Sequence, residues 1–116
     1  MSNIPTDRPY ELRITDTFRV DSRLIHSEWQ TFRRMLRVAR FILERAPFVD
    51  ARCVDEGERI WTRVFGAHRT TDGIDVPELL VSYQIARHPP HGLIDLRHVR
   101  STEDIASGLH VGDEPF

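Results

Sequence analysis

The feature that most constrains this chain is an apolar series spaced alternately by four and three residues: Ile25, Trp29, Phe32, Leu36, Ala39, Leu43 and Ala46. That is the repeat of one face of an α-helix. Met35, Val38 and Ile42 widen the stripe, Asp21 or Ser22 offers an N-cap, and Pro47 forbids continuation. The spacing predicts one long amphipathic helix ending at about Ala46, and a face that broad needs a sheet to lie on.

The rest of the chain supplies sheet. Residues 1–9, with Pro5 and Pro9, read as a loose arm. From Tyr10 to Val20, apolar Tyr10, Leu12, Ile14, Phe18 and Val20 alternate with polar neighbours, which predicts a strand interrupted near Asp16-Thr17. Residues 48–58 are either a short second helix or a strand that turns at Asp55-Glu56-Gly57-Glu58 into Arg59–Phe65. The acidic, glycine-containing turn favours the hairpin. Residues 66–77 read as loop. Leu79–Ala86 is the clearest strand, with Leu79, Val81, Tyr83 and Ile85 on one face. His88-Pro89-Pro90-His91-Gly92 turns it back into Leu93–Val99. Residues 101–116 form a tail in which Thr102–Leu109 could hold a turn or two of helix. The expected fold is a single α+β domain over residues 1–116. It is a two-layer sandwich of one long amphipathic helix on a small, mostly antiparallel sheet, in the order β-α-β-β-β-β or β-α-α-β-β-β.

Bulk properties narrow the function classes. With 116 residues and 40% hydrophobic content the chain can bury a core without metal or disulfide staples. The net charge of −2 carries no global commitment to nucleic acid or membrane. Cys53 has no cysteine partner, the N-terminus lacks a secretory pattern, and no apolar run approaches the ~20 residues of a membrane helix, so a soluble, cytoplasmic protein is expected. All 16 basic residues are arginine, which reflects either codon bias or selection for planar, bidentate contacts to carboxylate and phosphate.

Catalytic motifs are scarce. Cys53 lacks an activating signature, Ser82 has no base beside it in sequence, and the glycines are scattered singly. His68, His88, His91 and His98 have no spacing that fixes metal geometry, so neither metal nor cofactor is expected. The stronger pattern is electrostatic. Between Trp29 and Leu43 lie Arg33, Arg34, Arg37 and Arg40 and no acid. On a helical projection Arg33, Arg37, Arg40 and Glu44 share a stripe opposite the apolar face, and Phe41 falls outside the apolar face beside Arg34 and Arg37. This is either an ordinary solvated face or a partner-binding one. The composition suits an acidic protein, and a nucleic-acid backbone would suit the same face.

The closing segment Leu80-Val81-Ser82-Tyr83-Gln84-Ile85 followed by Leu93-Ile94-Asp95-Leu96-Arg97-His98-Val99-Arg100 resembles the last two strands of RelE/ParE-type toxins. That resemblance implies an RNase or gyrase-directed activity. It nominates Arg63, Arg87 and Arg100 to stabilise phosphate charge, with His98 as general acid or base. Residue chemistry taken alone points instead to a non-catalytic, regulatory or inhibitor-like protein that binds an acidic partner through Arg33, Arg34, Arg37, Arg40 and Phe41.

Overall fold

A computed structural model describes residues 8–103. Its centre is the hairpin of β6 (Leu79–Arg87) and β7 (Gly92–Ser101). Burial alternates strictly along β6, so Leu79, Val81, Tyr83 and Ile85 enter the core while Leu80, Ser82, Gln84 and Ala86 face the other way. On β7 the core residues are Ile94, Leu96 and Val99, a change from even to odd positions that needs one extra residue. The ladder supplies it: Tyr83 pairs with Leu96 but Ser82 pairs with His98, leaving Arg97 unpaired as a bulge. Without that bulge His98 rather than Val99 would turn inward.

Three further strands extend the sheet. β3 (Ile60–Phe65) pairs antiparallel with β6, and β2 (Arg52–Asp55) pairs antiparallel with β3 through the Asp55–Arg59 turn. β1 (Tyr10–Ile14) lies parallel to β7, giving the order β1-β7-β6-β3-β2. β4 (His68–Arg69) and β5 (Asp75–Val76) make a separate two-stranded ribbon within the segment expected to be loop.

The single long helix is not formed. Three short helices stand in its place: α1 (Asp16–Ser22), α2 (Trp29–Met35) and α3 (Arg37–Arg45). The element order is therefore β-α-α-α followed by six strands. Two local competitions explain the difference. First, the expected strand stops at Ile14 because Thr15 caps a helix: its hydroxyl accepts from Phe18 N at 3.3 Å and donates to Leu96 O at 2.7 Å. The buried face of α1 is Phe18 and Ser22, and a polar residue at the second position hides the helical period. Second, residues 23–28 leave the helical path, and Leu36 at φ −81°, ψ −1° ends α2 and starts α3. The apolar spacing survives these breaks because Ile25 still packs at the edge of the core and Phe32, Leu36, Ala39 and Leu43 remain buried.

The helices cover the face of the sheet that carries Val81, Tyr83, Ile85, Ile94, Leu96 and Val99, and the core lies between. The opposite face holds a polar network: Arg13 grips Asp95 through both carboxylate oxygens, and Arg97 donates to Gln84 Oε1 at 3.0 Å. Of the expected arm over residues 1–9, residues 1–7 lie outside the described residues, as does any helical turn beyond residue 103, while the Pro9 carbonyl already accepts from Gly92 N at 3.1 Å. Among the described residues no helix is long and apolar enough to cross a membrane.

Candidate functional site

α2 and α3 turn Phe32, Met35, Leu36 and Ala39 inward, and this fixes what the other side carries. Arg33 and Arg34 close α2, Arg37 opens α3, and Arg40 follows one turn on. The four arginines line one open cleft of about 350 Å³ together with Glu28, Gln30 and Thr31 from the start of α2. The first turn of α3 contains no acidic residue. Cations at a helix N-terminus oppose the macrodipole by roughly 0.3–1 kcal/mol each, so local helix energetics do not account for Arg37 and Arg40.

Counter-charge within the cleft is sparse. Arg34 reaches Asp72 Oδ2 at 3.7 Å, and the Glu28 carboxylate accepts from the Thr31 hydroxyl. The hydrogen bond from the Thr70 hydroxyl holds the Asp72 carboxyl below its usual range, and the positive fields of Arg34 and Arg37 add to that. Among the described residues no carboxylate lies at ion-pair distance from Arg33, Arg37 or Arg40. Sequence reasoning missed Glu28, Thr31 and Asp72 as parts of this site. The Thr70-Thr71-Asp72-Gly73 turn was the available signal for Asp72, but nothing local placed that turn against α2.

Phe41 is not part of the cleft. It is 48% exposed and carries the Arg45 guanidinium 3.8 Å above its ring, while Arg45 also donates to the Phe41 carbonyl at 3.0 Å. The structure thus brings together Arg33, Arg34, Arg37 and Arg40 and assigns Phe41 to a neighbouring contact.

The second set of residues, Arg63, Arg87, His98 and Arg100, does not converge. Arg63 pairs in register with Val81 on the helix-facing side, donates to Val49 O at 2.9 Å and lies over the Phe65 ring, so it holds the α3–β2 connection to the sheet. Arg87 pairs with Leu93 and donates to His91 O inside the hairpin turn, whereas Arg100 pairs with Leu80. At about 3.4 Å per residue, these two lie roughly 24 Å apart along the ladder. His98 belongs to another contact: its Nδ1 meets Asp21 Oδ2 at 2.9 Å, and the same oxygen accepts from Val99 N at 3.3 Å.

Through Thr17, which donates to Arg97 O, and Asp21, which accepts from Val99 N, helix α1 caps the stretch of β7 that β1 does not cover. Asp21→Ala is therefore expected to cost about 1–3 kcal/mol, because it leaves the Val99 amide without its acceptor. Asp21→Asn should recover part of the loss. Urea unfolding would check this, and wild-type stability in Asp21→Ala would mean that α1 does not cap this edge.

Among the described residues no group of three or more His, Cys, Asp or Glu is placed to hold a metal ion. No protein-family model matches the chain, and no curated protein or solved structure matches it significantly. The functional reading therefore rests on the site itself.

Proposed function

We propose that this chain is a non-catalytic interaction protein that binds an acidic protein partner through the cleft lined by Arg33, Arg34, Arg37 and Arg40. One observation carries the reading: four guanidinium groups share a cleft in which Asp72 is the only carboxylate paired to any of them, among the described residues. Guanidinium forks match carboxylates bidentately, and a concentration of one sign of charge in a concave surface steers an oppositely charged partner. The dispersal of Arg63, Arg87, His98 and Arg100 over both faces and both ends of the sheet favours this reading over a toxin-like catalytic one. A carboxylate-rich segment suits the cleft better than a continuous phosphate backbone, because the arginines occupy a short depression bounded by Glu28 and not an extended stripe.

The test is a binding titration with a labelled Glu/Asp-rich peptide, beside a single-stranded RNA of equal charge. Arg37→Glu is expected to weaken peptide binding by at least about tenfold, as for loss of one interface hot spot. Its thermal midpoint should stay near that of the wild type, since Arg37 is exposed. Arg23→Glu, at the C-terminal end of α1, should leave binding unchanged. Equal peptide affinity in wild type and Arg37→Glu would reject the cleft as the site, and tighter binding to RNA would reject the protein partner.

A further inference from the structure

A second cleft lies where the β2–β3 hairpin meets the β6–β7 turn, and it is independent of the arginine cleft. Its walls are Phe48, Trp61 and Ile85, and its volume is about 420 Å³. Clefts that hold small organic molecules run from about 300 to 1,000 Å³ and are mostly apolar with a few polar groups at fixed positions. This one has that composition. Phe48 and Trp61 stand with ring centroids 4.8 Å apart and planes tilted by 59°, and Phe48 remains 41% exposed although it is a large aromatic. The half-buried Cys53 thiol completes the wall.

Polar groups sit at the rim. Arg59 and His88 border the cleft, and neither side chain has a hydrogen-bond or ion-pair partner among the described residues. The backbone of Arg59 is fixed in the left-handed region at φ 57°. Its N–H donates to Glu56 O at 3.2 Å and its carbonyl accepts from Ile85 N at 3.0 Å. A non-glycine residue in that region is strained, by roughly 1 kcal/mol, where glycine would be free of strain. The turn therefore carries an arginine at a position whose backbone favours glycine, and that arginine borders an aromatic cleft. Glu56 is also on the rim and opposes it, but one permanent cation and a histidine face this single carboxylate.

We propose that this cleft binds a small aromatic anion, its ring against Phe48, Trp61 and Ile85 and its acidic group on Arg59 and His88. A guanidinium fork takes a carboxylate or sulfonate bidentately, and the aromatic walls supply face and edge contacts for a flat ring.

Two dyes of similar shape test the assignment: anilinonaphthalene sulfonate, which carries a negative group, and phenylnaphthylamine, which does not. Wild-type protein is expected to bind the sulfonate saturably, and the bound dye should slow alkylation of Cys53 by iodoacetamide. Arg59→Gly is the decisive variant, because glycine suits the backbone there and the fold should be at least as stable. It is expected to weaken the sulfonate dye by about tenfold or more while leaving the neutral dye within about twofold. Glu56→Gln should tighten the sulfonate dye, and Arg37→Glu should leave both dyes unchanged. Absence of saturable sulfonate binding, equal losses for the two dyes in Arg59→Gly, weaker binding in Glu56→Gln, altered binding in Arg37→Glu, or alkylation of Cys53 unaffected by bound dye would each overturn the proposal. Failure of the acidic-peptide titration would leave these dye results intact, so the two sites are judged separately.

Discussion

Phe32→Ala is expected to remove about 3–5 kcal/mol of stability, the range for truncating a fully buried phenylalanine. Phe32 is 0% exposed and lies between Phe18, with ring centroids 6.2 Å apart, and Trp29, at 6.0 Å. It therefore joins α1 and α2 and sits in the same core as Tyr83 and Leu96 on the sheet. Truncation would open a cavity bounded by elements that cannot all collapse into it, because α1 is tied to β7 by the Thr15 and Asp21 hydrogen bonds. Urea unfolding followed by tryptophan fluorescence would report the loss as a lower midpoint with an unchanged slope. A loss below about 1 kcal/mol would place Phe32 outside the core and remove the frame that aims Arg33 and Arg37 outward.

Gly92→Ala is expected to have the second largest effect, about 3 kcal/mol, at the upper end of the usual cost of overpacking. A Cβ at residue 92 would stand 2.6 Å from the Pro9 carbonyl oxygen and 2.6 Å from Tyr10 Cδ1. The first of these atoms is backbone and accepts from Gly92 N–H at 3.1 Å, so it cannot move away without breaking the start of the β1–β7 pairing. Hydrogen exchange would localise the damage: amides of Tyr10–Ile14 should lose protection before those of the β6–β7 hairpin. Gly57→Ala is the matching control, since the nearest atom to its Cβ would be Asp55 Oδ1 at 3.6 Å. Wild-type stability in Gly92→Ala would mean that β1 does not approach β7 in this register.

Both substitutions probe what was hardest to read in the chain. Alternation made the β6–β7 hairpin visible, since a face of Leu79, Val81, Tyr83 and Ile85 has few other uses. The acidic turn at residues 55–58 likewise marked the β2–β3 hairpin. The helical period was also visible from Trp29 onward, together with the cations opposite it. The breaks were not. Thr15 becomes a cap because Leu96 O is within reach of its hydroxyl, and α1 ends at Ser22, whose hydroxyl turns back to Arg19 O at 2.6 Å. The Thr15 contact reaches across to Leu96, |i−j| = 81, and nothing in residues 15–28 taken alone announces it.

The arginine cleft divides in the same way. That Arg33, Arg34, Arg37 and Arg40 point away from the core follows from their spacing against the apolar stripe, and the turn at Leu36 between α2 and α3 leaves all four on one cleft. The pairing of Phe41 with Arg45 is local too, an i,i+4 contact along α3, whereas supplying Asp72 as a counter-ion to Arg34 was decided by tertiary packing. So was the fate of His98: a single bulged residue, Arg97, turned Val99 inward and left His98 to Asp21. Periodicity is a property of neighbouring residues and is written in the chain. Register, bulges and long-range polar contacts such as that of Asp21 with His98, |i−j| = 77, form only when the elements pack.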